Sequence, residues 1–174
     1  MKLRSFLEEV VALELAAAHY YRTLASMTTD PELKALWQAM EDDEQTHAAT
    51  IEAMERHVDR TEDIEIDKKA LHYDDLQELA AAVSKVMEEV STYNLKQMFE
   101  TALFLESAEL NSVYRHLLHL EEFEIPEYIK KIDSSHISHK DRLSDGFRKF
   151  LFDEELVEKF NTFVEASQKE NAKK

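Results

Sequence analysis

Apolar residues near the start of the chain recur at steps that alternate between four and three: Leu3, Leu7, Val10, then Ala17, Tyr21 and Leu24, with Glu14 standing in the same row. That spacing is the signature of one helix face, here over about Leu3 to Met27. Thr29-Asp30-Pro31-Glu32 follows, a cap residue ahead of a proline at the first helical position. The next stripe is Leu33, Trp37, Met40, Glu44, His47, Ile51, Met54 and Val58. So short a connection predicts antiparallel neighbours. From about Asp59 to Tyr73 the chain is polar and aperiodic and reads as a long connection. Asp74 or Asp75 is placed to cap a short helix carrying Leu76, Leu79, Ala80, Val83, Val86, Met87 and Val90. Ser91-Thr92-Tyr93-Asn94 reads as a break. The stripe resumes with Leu95, Phe99, Ala102, Glu106, Glu109, Val113, Leu117 and Leu120.

Pro126 opens a further helix with Ile129, Ile132, His136, His139 and Leu143 on one face, then Phe147 and Phe150 beyond Gly146. Asp153 is placed to cap a last helix with Leu156, Val157, Phe160, Phe163 and Val164, ahead of a polar tail from Gln168. The pattern predicts an all-α protein: four long helices in two antiparallel hairpins, a long central crossover and an extra C-terminal helix. Residues 1–152 read as the bundle and 153–174 as a helix and frayed tail of the same domain. One Gly and two Pro in 174 residues agree, because a sandwich or barrel of short strands needs many more turn residues.

Charge and cysteine narrow the function. Lys and Arg total 21 against 37 Asp and Glu, a formal charge of −16. Such a field repels nucleic-acid phosphates and draws in cations, so no nucleic-acid partner is expected. Cysteine is absent, which removes disulfides, thiolate metal sites, cysteine nucleophiles and iron–sulfur clusters. No apolar run reaches the roughly 18 residues of a membrane span, and the first nine residues are too acidic for a secretion signal. A cytoplasmic protein with no membrane partner is the expectation.

The informative feature is chemical. Glu14, Glu44, His47, Glu106, Glu109, His136 and His139 all fall on faces that should be buried. A buried carboxylate costs several kcal/mol unless paired or metal-bound, and here each of the four main helices carries at least one such group. Their levels agree within each hairpin. Glu14 lies about 14 residues before the first turn and Glu44 about 15 after it, a mismatch of roughly 1.5–3 Å along the axis. Glu106 and Glu109 precede a second turn near Phe123 by about as much as His136 and His139 follow it. Carboxylates and imidazoles suit a hard or borderline divalent metal, with iron, manganese and zinc all compatible. Trp37 reads as core, Phe147 and Phe150 as core or a dimer contact, His19 as a surface or structural residue, and Glu41-Asp42-Asp43 as a solvated face.

These residues resemble the ferritin-like di-iron carboxylate proteins, and most closely the rubrerythrin branch. Glu14 with Tyr21 on helix one, Glu44-Gln45-Thr46-His47 on helix two, and Glu106, Glu109 and Tyr114 on helix three are similar to the family's ligand pattern. His139 matches the histidine of the family's second Glu-x-x-His, but His136 stands where that motif has a carboxylate. Asp133, one turn earlier, offers an oxygen only with a shift. The rubredoxin-like cysteine module of full rubrerythrins is missing.

The resemblance implies two iron ions held by Glu14, Glu44, His47, Glu106, Glu109, His136 and His139. Tyr21 and Tyr114 would hold ligand carboxylates by hydrogen bonds. The implied activity is reduction of hydrogen peroxide or dioxygen with electrons from a separate donor. The altered fourth helix keeps two alternatives open: a metal-sequestering bundle with little turnover, and a metal-free interaction bundle with a degenerate site. The Phe-rich face of the last helix suits a homodimer contact.

Overall fold

The computed structural model describes residues 1–58, 65, 73–108, 141–151, 154–159 and 162. Most of those residues are helical and none is in a strand; one isolated β-bridge joins Lys2 to Glu65. Helix α1 spans Leu3–Met27 and α2 spans Pro31–Val58. Asp30 starts α2 as the proline pattern predicts: its Oδ1 accepts the backbone N–H groups of Glu32 and Leu33 at 2.9 and 3.0 Å. These are donors that the first turn of a helix otherwise leaves unsatisfied. Ion pairs Arg4–Glu55 (3.1 Å) and Arg22–Glu41 (2.7 Å), and a 3.4 Å contact between His47 Nδ1 and Glu14 Oε2, tie the two helices together. Positions on one helix rise as their partners on the other fall, so the hairpin is antiparallel.

Helix α3 spans Tyr73–Glu89, and a 3₁₀ turn at Val90–Thr92 marks the predicted break. Asp74 therefore lies inside the first turn of α3 and is not its cap. There its charge complements the positive end of the helix dipole. Tyr73 and Gln77 both donate to the Glu9 carboxylate, at 2.7 and 2.5 Å, and fasten α3 to α1. Helix α4 spans Leu95–Ala108. It opens on a reciprocal cap in which the Asn94 N–H donates to Gln97 Oε1 and the Gln97 N–H donates to Asn94 Oδ1, both at 3.0 Å. A helical stretch at 141–146 runs into a π-helical turn at Phe147–Leu151. The helix predicted from Pro126 is described only from residue 141.

The core is aromatic at one end. Tyr21 stacks on Trp37 with ring centroids 6.1 Å apart, and Trp37 tilts against Phe99 at 4.7 Å. Phe99 in turn packs on Phe147 at 5.1 Å. Each of these side chains is fully buried, contributing about 1.5–3 kcal/mol or more apiece by area removed from water. The Tyr20 phenol donates to the Met98 carbonyl at 2.7 Å and joins α1 to α4; burial pushes its ionisation far above the usual range.

Gly146 is where the segment 141–151 meets this cluster. A methyl group there would stand 2.6 Å from Leu36 Cδ2 and 3.1 Å from Phe99 Cε1. Leu36 can swing its terminal methyl away, but Phe99 is held between Trp37 and Phe147. Overpacking costs about 1–3 kcal/mol, against a gain of about 1 kcal/mol from replacing glycine within a helix. Gly146→Ala is therefore expected to destabilise the protein by about 1 kcal/mol in urea unfolding; an increase in stability would mean that Phe99 has room to move.

Candidate metal centre

Glu14 on α1 and Glu44 and His47 on α2 point into the core between the helices, at 0–1% exposure. The placement follows from the stripes: each sits where an apolar residue would continue the buried face. One donor atom from each of the three lies within 4.8 Å of the others. His47 Nδ1 is 2.9 Å from Glu44 Oε2 and 3.4 Å from Glu14 Oε2. The spacing of three between Glu44 and His47 puts both on one turn of α2, and the antiparallel pairing brings Glu14 to the same level.

Glu106, 1% exposed on α4, stands beside this trio. Its Oε1 accepts a hydrogen bond from the Tyr21 hydroxyl at 2.7 Å. Through this bond Tyr21 orients the Glu106 carboxylate. It joins the site to the aromatic cluster through its ring. Trp37 Nε1 has no hydrogen-bond partner among the described residues, a cost of about 1–3 kcal/mol that its packing outweighs.

Two of the carboxylates gathered in this dry core, Glu44 and Glu106, resist ionisation. Burial pushes Glu44 well above the ordinary carboxylate range, and the charges of Glu106 and Glu14 and a hydrogen bond with Glu14 push it further. Burial likewise lifts Glu106 to about 7, against the Tyr21 hydrogen bond and the His47 charge, which favour its anion. A cation among these groups would remove both sources of strain at once. The donor set fits a divalent ion: oxygen and imidazole nitrogen, three acidic groups of opposite charge, and apolar neighbours that keep out competing water.

Of the predicted ligands, Glu14, Glu44 and His47 converge and Glu106 adjoins them. Glu109, His136 and His139 lie outside the described residues, as does Tyr114. The acidic run on α2 differs from the solvated face that the sequence suggested. Arg142 donates to Asp43 and, at 3.3 Å, to the Ala39 carbonyl, binding the segment 141–146 to α2 beside Glu44. Glu41 accepts from Arg22 at 2.7 Å and Gln45 at 2.9 Å; only Asp42 of the three is fully exposed. Asp43 is pushed up by burial although the Arg142 charge opposes it. Sequence reasoning missed the Arg142–Asp43 pair because its partners lie far apart in the chain and share no local period.

Among the described residues no helix is long and apolar enough to cross a membrane. No protein-family model, curated protein or solved structure matches the chain.

Proposed function

We propose that this chain is a rubrerythrin-like di-iron carboxylate protein with a ferritin-like four-helix bundle. It would reduce hydrogen peroxide or dioxygen with electrons delivered by a separate donor. The observation that carries the metal part of this reading is the convergence of Glu14, Glu44 and His47, fully buried, with donor atoms within 4.8 Å of one another. Iron and its redox role come from the resemblance of the ligand spacing. When bound, iron would supply the electrons that reduce the oxidant.

The chain's own residues have four tasks. Glu14 and Glu44 offer oxygen donors from facing helices, so a metal also cross-links α1 to α2. His47 offers an imidazole nitrogen, and its Nδ1 lies 2.9 Å from Glu44 Oε2. Tyr21 orients Glu106. The apolar residues around them exclude water and keep the carboxylates from being solvated as free anions. The carboxylates of Glu14, Glu44 and Glu106 carry three negative charges, enough for one divalent ion. A second ion calls for further donors, the role proposed for Glu109, His136 and His139.

The test loads chelator-stripped protein anaerobically with Fe(II), measures iron per chain, and then follows peroxide consumption with a chemical reductant. Two irons per chain and repeated, iron-dependent turnover, both lost in Glu44→Ala, are the expected result. Iron bound without turnover would favour the sequestering bundle, and absence of bound iron would favour the metal-free one.

A further inference from the structure

The trio is sealed at 0–1% exposure, so an ion needs a way to reach it. On the outer side of the α1–α2 hairpin lies a groove of about 470 Å³, lined among others by Leu15, Ala18, His19, Ala48, Ala49 and Glu52. Two of these residues relate the groove to the metal centre. Ala18 follows Glu14 by four positions, and Ala48 follows Glu44 by four and His47 by one. At about 100° per residue, four positions return to within about 40° of the same direction. On α1, Ala18 therefore stands between the ligand face of Glu14 and the groove face of Leu15, His19 and Arg22. On α2, Ala48 stands between the ligand face of Glu44 and His47 and the groove face of Ala49 and Glu52. Both wall residues are buried to 2% exposure, and both carry a single methyl group. Elsewhere the inward faces of the two helices carry mostly larger side chains, Leu7, Val10, Leu24, Trp37, Ile51 and Met54, with Ala17 and Ala25 the other small ones on α1. At the groove, the wall between solvent and the ligands is thus only a methyl group thick on each helix.

The mouth has suitable chemistry for a cation in transit. His19 is exposed there and offers an imidazole. Glu52 offers a carboxylate whose pairing with Arg56, at 3.6 Å, is loose. Arg22, the positive group on the rim, is drawn to Glu41 at 2.7 Å. The chain's charge of −16 concentrates cations at such a surface.

We propose that this groove is the port through which divalent metal ions reach Glu14, Glu44 and His47, with His19 and Glu52 as transient ligands at its mouth and Ala18 and Ala48 as the wall that parts to admit them. The port rests on the metal-centre reading, and one experiment separates the two. Co(II) is mixed with metal-free protein in a stopped-flow instrument, and binding is followed by quenching of Trp37, the one tryptophan in the chain. Trp37 stacks on Tyr21, which holds Glu106, so it reports on the site.

Ala49→Phe fills the groove from its exposed side without entering the core. It is expected to slow association about tenfold or more while leaving the equilibrium midpoint within about twofold, since access changes the rate and not the bound state. His19→Ala is expected to slow association by a smaller factor. Ala80→Phe plugs a second groove, between α1 and α3, and is expected to change nothing. Association as fast in Ala49→Phe as in the unmodified protein, with equal midpoints, would overturn the port and leave the metal centre standing. Equal slowing in Ala80→Phe would also overturn it. Failure of the unmodified protein to bind Co(II) at equilibrium would overturn the metal centre and the port together.

Discussion

A divalent metal at about a hundredfold excess over its Kd is expected to raise the thermal midpoint of the chelator-stripped protein by about 5–10 °C. Binding of that strength stabilises the folded state by about 3 kcal/mol, and a chain of this length gains a few degrees per kcal/mol. Glu44→Ala should abolish the rise, because it removes the carboxylate that also holds His47 in place at 2.9 Å. Glu44→Gln gives the sharper result. Without metal, the unmodified protein keeps three carboxylates and an imidazole in a dry core, and the charges of Glu14 and Glu106 act against that of Glu44. Replacing one with an uncharged group of the same shape is expected to stabilise the metal-free protein by about 1–3 kcal/mol near pH 8. With metal, the order should reverse, since the amide is a poor ligand. Differential scanning calorimetry of both proteins with and without Co(II) checks this. A Glu44→Gln variant less stable than the unmodified protein in both states would mean that Glu44 serves the fold and not a cation.

That crossing of stabilities reflects what a local pattern can encode. The stripes of α1 and α2 were legible because burial imposes a 3.6-residue period on the sequence, and a charged residue inside such a stripe stands out against it. Glu14, Glu44 and His47 were found that way, and their common level followed from the short turn at Thr28–Asp30. The start of α2 was legible through Asp30 and Pro31. What the period does not encode is pairing across the chain. Tyr21 and Glu106 stand 85 positions apart; the resemblance implied only that Tyr21 would hold some ligand carboxylate, and no local period names Glu106 as its partner. Arg142 and Asp43 are separated further, and Asp43 sits in an acidic run that reads as solvated surface. The site's grooves were also invisible: Ala18 and Ala48 read as ordinary small helix formers. Only the packing of α1 on α2 turns them into a thin wall. The start of α3 was misplaced by two or three residues, because an acidic residue suits both a cap and the first turn that follows it.

The buried carboxylates also set a pH dependence with a definite sign. Glu106 titrates at about 7 in the folded protein against an ordinary value of 4.5. The folded state therefore holds this proton more tightly than the unfolded state does. Its contribution to stability is complete below about pH 4.5, declines as pH rises, and is lost above about 7, a total of about 3 kcal/mol. Glu44 is raised in the same direction by burial and by its neighbours, which adds to the decline. Urea unfolding of the metal-free protein should accordingly give a midpoint that falls between about pH 5 and 8, with a shallower fall in Glu106→Gln. The general repulsion of a chain with charge −16 acts on both proteins alike, so the difference between them reports Glu106 together with its effect on Glu44. Metal should reverse the trend, because ligand carboxylates must shed their protons to bind it, and affinity then rises with pH over the same window. Tyr21 supplies the control that a bulk effect would not reproduce. Its hydroxyl stabilises the Glu106 anion, so Tyr21→Phe should drive Glu106 higher still and carry the metal-free decline to higher pH. An unchanged profile in Tyr21→Phe would show that the 2.7 Å bond does not govern how this site holds its proton.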